Sequence, residues 1–517
     1  MSLFLPHASR QRRAPLPGRW GRVLACWSVL LFSSCVVPYE FPAPDAWGVL
    51  SGPGGPAQSY EAEDLLQPCA PLDGGPEDSD HHNLVAMYDG YLVMPWAPEW
   101  SGGGLSFFEF DDPCAPVKVG EAFDSDLRES HNFGVMPRGD RVLSAFDYHG
   151  GLIDGEIVGG VQIWDITNAA APFVVSNLAL PGYVYPDAYA RVSLATFWQG
   201  NFIWVSGSDN GFWVVDASDP ESPELAYQYS FDPPMRVGAV HLIGDIAMVS
   251  GAEIARTILL DASDPMSPQP FPGGEFETTD AEGEVRDYYF ANTGGRYALF
   301  ARKESGGGFM AYDISDPRAP QWAGAVSTSD GNGGYVFRHE DHLFVGESNF
   351  AAIYDFTDPL SSQEVGRADL EGDLDTATPI GNVWVLSVDD DAVGDNASAV
   401  VAWSEEPDRR APQLELHRPP QDALWVAPTA SVGLSFDEMI EARSVFEGSV
   451  RVRDEAGQRV EGLFGVQENI VSFTPTQRLA EDTTYTVTLP AGGLLDYSSN
   501  GLSEEVSFRF ATGGQLR

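Results

Sequence analysis

The chain contains few basic residues and almost no lysine. Its 517 residues include 29 Lys or Arg and 76 Asp or Glu, and the formal net charge at pH 7 is −47. Lysine occurs only at Lys118 and Lys303. A surface this negative repels phosphate backbones, so we expect no nucleic-acid partner. Docking on anionic lipid headgroups is disfavoured for the same reason.

The sequence also lacks the short motifs of several catalytic classes. It has no G-x-S-x-G, no H-E-x-x-H, no G-x-x-x-x-G-K and no C-x-x-C. These motifs provide a serine nucleophile, a zinc site, a phosphate-binding loop and a redox pair, respectively. Their absence favours a binding role over an enzyme of these classes.

The N-terminal region has no apolar run that is long enough to span a membrane. Residues 1–22 are rich in arginine, and the apolar run that follows covers only residues 23–34. A membrane-spanning helix needs about 20 apolar residues. A basic start followed by a short apolar core is typical of an export signal.

The apolar run ends in Ser33-Ser34-Cys35, which resembles the lipobox of bacterial lipoproteins. The resemblance implies that residues 1–34 are a signal peptide and that Cys35 is acylated and held in a lipid bilayer. Residues 35–60, rich in proline and glycine, are then a tether. No acidic residue follows Cys35 directly, which favours the outer membrane or cell surface over the inner membrane.

One motif recurs through the middle of the chain, namely an apolar run followed by Asp, a small or apolar residue, Ser or Thr, Asp or Asn, and Pro. Its clearest copies are WVVDASDPESP at 213–223, ILLDASDPMSP at 258–268, MAYDISDPRAP at 310–320 and AIYDFTDPLSS at 352–362. Weaker copies lie at 107–116 and 162–172, and successive units are 42–56 residues apart. Each unit also carries a hairpin pattern upstream, so one unit predicts a four-stranded propeller blade.

The repeats predict an all-β chain whose residues 61–408 form a seven-bladed β-propeller. Six or eight blades remain compatible with the sequence, because the end units are degenerate. The motif resembles the LVIVD repeat of bacterial surface proteins, and this resemblance implies a propeller at the cell surface without an assigned reaction. We expect the first Asp of each motif to brace the turn before proline rather than to take part in chemistry.

Residues 409–517 alternate differently and predict a separate small β-sandwich. The landmarks Phe436-Asp437-Glu438-Met439, Phe473-Thr474-Pro475 and Tyr485-Thr486-Val487 resemble the bacterial Ig-like domain of the S-layer, SbsA-like type. The resemblance implies a spacer or adhesive module, and it makes an enzyme site in this region unexpected.

Alignment of the blades on their first hairpin places basic residues at the start of the innermost strands. They are His82, His131, Arg191, Arg236 and Arg286. Because this strand lines the channel, the five residues would ring one mouth of it. Such a ring could bind a carboxylate, a phosphate-bearing ligand or a glycan. It could also hold a metal or catalyse a reaction with nearby carboxylates, or it could simply pair with acids of neighbouring blades.

Other polar features are weaker candidates for a site. His339-Glu340-Asp341-His342 looks like a metal cluster, but it falls on a predicted hairpin turn, and an exposed polar turn is the favoured interpretation. The acidic loops 369–375 and 389–396 could bind calcium at millimolar concentrations, and no other cofactor is expected. Cys69 and Cys114 could form a disulfide in an exported protein if their Cα atoms lie ~4.4–6.8 Å apart.

These observations predict a lipid-anchored surface protein of the cell envelope. Its role would be non-catalytic binding or adhesion through the propeller, and the partner would be a glycan, a peptide or an envelope protein. Two alternatives remain open. The first is a hydrolase or lyase that uses the His and Arg residues at the channel mouth. The second is a purely structural envelope scaffold.

Overall fold

The computed structural model describes residues 52, 54–72, 74–75, 84–97, 102–128, 131–153, 155–181, 195–303, 306–388 and 398–516. Within these residues, the secondary structure consists of β-strands and two 3₁₀ turns at Pro359–Ser361 and Ala442–Ser444. The predicted all-β class is confirmed. No helix of the described part has the length and hydrophobicity to cross a bilayer.

The first half of the propeller contains strand β1 and four sheets. Strand β1 is Pro68–Leu72, and blade 1 consists of β2 (Ala86–Tyr88), β3 (Tyr91–Trp96), β4 (Gly103–Glu109) and β5 (Val117–Asp124). Blade 2 consists of β6 (Gly134–Arg138), β7 (Arg141–Ile153), β8 (Glu156–Asp165) and β9 (Phe173–Ala179). Blade 3 consists of β10 (Thr196–Gln199), β11 (Phe202–Ser206), β12 (Phe212–Asp216) and β13 (Glu224–Tyr229). Blade 4 consists of β14 (Val237–Ile243), β15 (Ile246–Gly251), β16 (Arg256–Asp261) and β17 (Gln269–Glu277).

The second half of the propeller contains three further sheets. Blade 5 consists of β18 (Tyr288–Gly294), β19 (Tyr297–Arg302), β20 (Gly308–Asp313) and β21 (Gln321–Ser327). Blade 6 consists of β22 (Val336–His339), β23 (His342–Gly346), β24 (Ala351–Asp355) and β25 (Gln363–Ala368). Blade 7 consists of β26 (Thr376–Ile380), β27 (Val383–Ser387) and β28 (Ser398–Ala402), and β1 is its fourth strand.

The strands of each blade pair antiparallel in chain order from the inside outwards. The first strand is buried, as in β14, and the last is largely exposed, as in β13. Two-residue turns connect the first two strands, and Asp89 and Gly90 have the positive φ angles of 53° and 77° that such turns require. In blade 7, β1 pairs with the outer edge of β28, so the N-terminal strand closes the ring.

The repeated aspartates brace turns, as predicted. Asp216, Asp261, Asp313 and Asp355 each accept a hydrogen bond at 2.9–3.0 Å from the backbone N–H two residues further on. This contact holds the chain in a turn as it leaves the third strand of the blade, and the following proline prevents the strand from continuing. The regular spacing of these acids therefore reflects the fold.

A disulfide joins the two ends of the ring. Cys69 of β1 and Cys114 of the turn after β4 are bonded, with Cα atoms 5.2 Å apart. The sequence left this bond open because the two cysteines lie in equivalent motifs of different blades. The N-terminal strand brings them together, since it belongs to blade 7 and blade 7 lies beside blade 1.

The C-terminal domain is a β-sandwich of seven strands. They are β29 (Leu414–Arg418), β30 (Val432–Phe436), β31 (Arg451–Asp454), β32 (Gly462–Gln467), β33 (Ile470–Pro475), β34 (Thr484–Leu489) and β35 (Val506–Ala511). One sheet has the order β29-β30-β33-β32 and the other has the order β31-β34-β35. Phe436, Val471 and Val487 are buried between the sheets.

The sandwich is packed tightly onto the propeller. Strand β32 pairs with β6 of blade 2, with Val466 opposite Val135 and Gln467 opposite Gly134, so that one sheet runs through both domains. Hairpin turns of other blades donate hydrogen bonds to the sandwich, from Gly295 N to Phe436 O and from Glu340 N to Asp437 O. The sequence indicated two separate domains and gave no sign of this junction.

Candidate functional site

The predicted basic ring is only partly within the described residues. His82 and Arg191 lie outside them, as do Cys35 and the acidic loop 389–396. The other three residues lie within three positions before an innermost strand. They are His131 before β6, Arg236 before β14 and Arg286 before β18. The alignment of the blades therefore placed these three at equivalent positions.

His131 lies inside the channel rather than at its rim. Its side chain is buried, and its ring stacks on Phe290 and Tyr335 with centroid distances of 4.4 and 5.7 Å. Phe290 belongs to blade 5 and Tyr335 precedes β22 of blade 6, and neither blade is a neighbour of blade 2 in the ring. The contacts therefore cross the channel and close it at this depth.

The two arginines of the ring that the structure describes are paired with carboxylates. Arg236 lies 3.0 Å from Glu253 and 3.7 Å from Asp209, and Glu253 is also 3.8 Å from Lys303. Arg286 lies 2.6 Å from the buried Asp280. Of these acids, Asp209 belongs to the neighbouring blade 3, as one of the alternatives left open by the sequence expects, whereas Glu253 lies in the same blade as Arg236 and Asp280 lies in the same loop as Arg286. A ligand at this mouth would have to compete with them.

The opposite end of the channel is covered by the Ig-like domain. Contacts reach the first hairpin turn of every blade, through Asp89, Arg138, Gly200, Asp245, Gly295, Glu340 and Gly381. The tip of the β32–β33 hairpin reaches an innermost strand of the propeller, where Glu468 accepts a 2.6 Å hydrogen bond from Asn292 of β18. Burial, opposed by this hydrogen bond, raises the pKa of Glu468 to about 7.

The turn between His339 and His342 is not an exposed polar turn, and that interpretation was wrong. His339 and Glu340 are 4% and 7% exposed. The Ig-like domain and the segment before it cover the turn, and Arg410 binds Glu340 at 2.9 Å and Asp341 at 2.6 Å. The position of the turn was predicted correctly, and its burial was missed because it depends on the other domain.

A group of side chains with metal-binding atoms surrounds His339. His339 Nδ1 lies 3.3 Å from Glu438 Oε2, and His339 Nε2 lies 3.9 Å from Asp408 Oδ2. Each of the three residues offers one ligand atom within 4.8 Å of the others, and no other group of this kind occurs among the described residues. The side chains of His339, Asp408 and Glu438 are 6%, 5% and 2% exposed.

Three polar atoms in this group have no hydrogen-bond partner within the described structure. They are His339 Nε2, Asp408 Oδ2 and Glu438 Oε1. Asp496 adds a further buried carboxylate, whose oxygens accept hydrogen bonds from Asn500 at 2.8 and 2.9 Å. Burial and the charges of Asp408 and Asp437 raise the pKa of Glu438 well above its usual range. Burial and the charges of Glu438 and Asp408 do the same to Asp496.

Sequence reasoning did not find this group. His339 stood out as part of a His-rich turn, and Glu438 was noticed only as a landmark of the Ig-like domain. Asp408 and Asp496 carried no signal that linked them to either residue. A search restricted to local spacing misses such a group, because its members come from two domains and the segment between them.

A cavity of about 330 Å³ lies along the same domain junction. Blades 3 and 4 contribute Trp204, Leu242 and Met266 to its wall, and the Ig-like domain contributes Pro428 and Arg478. The mixed apolar and polar wall of this cavity could accept part of a peptide or a sugar.

Comparison with known families identifies two modules in the chain. Residues 408–512 match the bacterial Ig-like domain family, and residues 198–230, which fall on blade 3, match the LVIVD repeat. Both modules predicted from the sequence are therefore confirmed. No curated protein matches the chain.

Solved structures that are similar to this chain include β-propellers. BamB from Moraxella catarrhalis is 13% identical, and the match covers 64% of this chain and 96% of BamB with a TM-score of 0.39. The β-propeller domain of Cps50 (Swd1) from Myceliophteria thermophila is 10% identical, and the match covers 64% of this chain and 98% of that domain with a TM-score of 0.44. These likenesses concern the fold alone.

Proposed function

We propose that this chain is an exported envelope protein, held to a membrane by lipid on Cys35, whose propeller binds a partner without catalysing a reaction. The partner would be a glycan, a peptide or another envelope protein. The Ig-like domain would act as a spacer of the S-layer type that keeps one face of the propeller covered. The anchor rests on the sequence motif, since Cys35 lies outside the described residues.

The position of the Ig-like domain is the observation that carries the proposal. It covers the propeller face that holds the first hairpin turns, as shown by Glu441 accepting from Asp89 N at 3.0 Å and Arg418 binding Asp245 at 2.6 Å. The face that holds Arg236 and Arg286 is not touched by these contacts. We infer that a partner approaches this second face, where Arg236 and Arg286 lie in ion pairs with Glu253 and Asp280.

Filling of the channel supports binding rather than catalysis. His131, Phe290 and Tyr335 pack against one another across the axis, so the channel offers no deep chamber at their level. Enzyme sites usually enclose their substrate and exclude water. A shallow mouth with ion-paired arginines is better suited to recognising a surface group of a partner.

Thermal unfolding of residues 36–517 with glycans, peptides and organic anions tests the binding role. A ligand at 100 times its Kd should add about 2.7 kcal/mol to the free energy of unfolding. We expect the shift to disappear in the double variant Arg236→Ala, Arg286→Ala. It should persist in Arg141→Ala, which removes an arginine paired with Asp165 at 2.7 Å on the covered face.

Three results would contradict this proposal. Turnover of a ligand that depends on Arg236 or Arg286 would establish an enzyme. A shift that survives the double variant would move the ligand to another surface, of which the groove at Met266 is the next to test. No shift with any compound would exclude the proposed ligand classes.

The membrane anchor has its own test. Cells that express the full chain are fed a labelled fatty acid, and we expect label on the protein and its recovery with membranes. Cys35→Ser should lose both, whereas Cys26→Ser, which changes a cysteine within the apolar run, should lose neither. Label on Cys35→Ser would contradict acylation at this residue.

A further inference from the structure

The group around His339 exists only when three parts of the chain come together. His339 ends β22 in blade 6, Asp408 lies in the segment before β29, and Glu438 follows β30 of the Ig-like domain. Asp496 comes from the loop between β34 and β35. The site is therefore a property of the domain junction and of neither domain alone.

The buried charge in this group is not balanced by the protein. Asp408, Glu438 and Asp496 place three carboxylates next to one imidazole, and the nearby Arg410 is bound to Glu340 and Asp341. Carboxylates that are removed from water and held together are costly unless protons or a cation neutralise them. The carboxylates of this group must therefore either take up protons or bind a cationic partner.

The donor atoms identify the class of that partner. An imidazole nitrogen together with carboxylate oxygens is the donor set of zinc and manganese, whereas calcium is held by oxygen ligands alone. Glu438 Oε2 contacts His339 Nδ1 at 3.3 Å, whereas His339 Nε2, Asp408 Oδ2 and the second oxygen of Glu438, Oε1, have no hydrogen-bond partner among the described residues and are the donor atoms available to an ion.

We propose that His339, Asp408 and Glu438 bind one divalent transition-metal ion, Zn²⁺ or Mn²⁺, at the junction of the propeller and the Ig-like domain. The ion links blade 6, the connecting segment and the Ig-like domain, and so fixes the Ig-like domain on the propeller. Asp496 adds negative charge next to the ion without leaving its bonds to Asn500. This site does not depend on the nature of the partner proposed above.

Metal titration of the mature chain tests the proposal. Residues 36–517 are stripped with a chelator, dialysed, and titrated calorimetrically with Zn²⁺ and, separately, with Mn²⁺. We expect one ion per chain and a higher unfolding temperature in its presence. His339→Gln and Glu438→Gln should weaken binding at least tenfold, whereas His342→Gln, in the same turn but outside the group, should bind like the wild type.

The metal-free variants separate a binding defect from a folding defect. Glu438→Gln removes a buried charge, so without metal it should unfold at the same temperature as the wild type or higher, and it should no longer respond to the ion. The proposal is overturned if neither metal binds stoichiometrically, or if His342→Gln loses binding as much as His339→Gln. It is also overturned if Glu438→Gln keeps the full metal-induced rise.

Discussion

Acidic residues have two different roles at the scale of single side chains. The aspartates of the repeat, such as Asp216 and Asp261, lie at the surface ends of strands and accept backbone hydrogen bonds. Glu438 and Glu468 are buried at the domain junction instead. The aspartates of the repeat shape turns, whereas Glu438 and Glu468 are carboxyl groups removed from water at the domain junction, where ionisation is energetically costly.

The buried Glu468 should make stability depend on pH. Its pKa is about 7 in the folded chain and near 4.5 when unfolded. The folded state therefore binds more protons between these values, and stability falls as the pH rises through this window. Glu468→Gln keeps an oxygen that can accept from Asn292 and stays uncharged. We expect it to be more stable than the wild type at pH 8 by on the order of 2 kcal/mol.

Urea unfolding at pH 4.5, 6 and 8 measures this effect. The variant should match the wild type at the lowest pH and exceed it at the highest. Glu504→Gln, at an exposed position, serves as the control and should follow the wild-type curve. An equal loss of stability with pH in Glu468→Gln and the wild type would show that Glu468 is already ionised in the folded chain.

At the scale of elements, β1 determines how the ring is closed. It pairs only with β28 within blade 7, and Cys69 ties it to Cys114 in blade 1. Removal of the bond frees a terminal strand whose outer edge faces solvent. We expect the double variant Cys69→Ala, Cys114→Ala to lose about 2–4 kcal/mol of stability.

Urea unfolding with and without dithiothreitol checks the role of the bond. The reductant should lower the midpoint of the wild type and leave that of the double variant unchanged. Hydrogen exchange at Ala70 and Leu72 should become faster in the double variant than in the oxidised wild type. Identical midpoints for the two oxidised proteins would mean that β1 is held by its strand pairing alone.

The elements were largely predictable because their signals are local. The repeat spaced 42–56 residues apart marks the exit from the third strand of a blade, and the Asp-Gly pair at Asp89 marks a hairpin turn. Each signal needs only a few neighbouring residues. The partner of β32 was not predictable, because Gln467 pairs with Gly134, which is more than three hundred residues away.

In the candidate site as well, features fixed by the local sequence were predictable, and features that depend on contacts with the other domain were not. The starts of the innermost strands were found at Arg236 and Arg286, since the repeat fixes their register. The burial of His339 was missed, because it is caused by the Ig-like domain and not by the hairpin itself. A motif that looks solvent-exposed within its own repeat can thus become part of a buried group when a second domain covers it.

At the scale of the whole molecule, the central feature is that the Ig-like domain covers one face of the propeller. The two domains are joined by the pairing of β6 with β32 in one sheet and by ion pairs such as that of Arg418 with Asp245. This coverage also determines which face of the propeller remains for a partner, and it creates the group around His339. Both proposals, partner binding at the open face and a metal site at the covered face, therefore depend on how the Ig-like domain packs on the propeller.

Hydrogen exchange of the full mature chain tests this arrangement most directly. The backbone N–H groups of Asp89, Gly295 and Glu340 belong to hairpin turns and donate to Glu441, Phe436 and Asp437 of the Ig-like domain. We predict that they exchange as slowly as the strands of the blades, in the wild type under native conditions. Exchange of these three groups within seconds, as in turns open to water, would contradict a docked Ig-like domain.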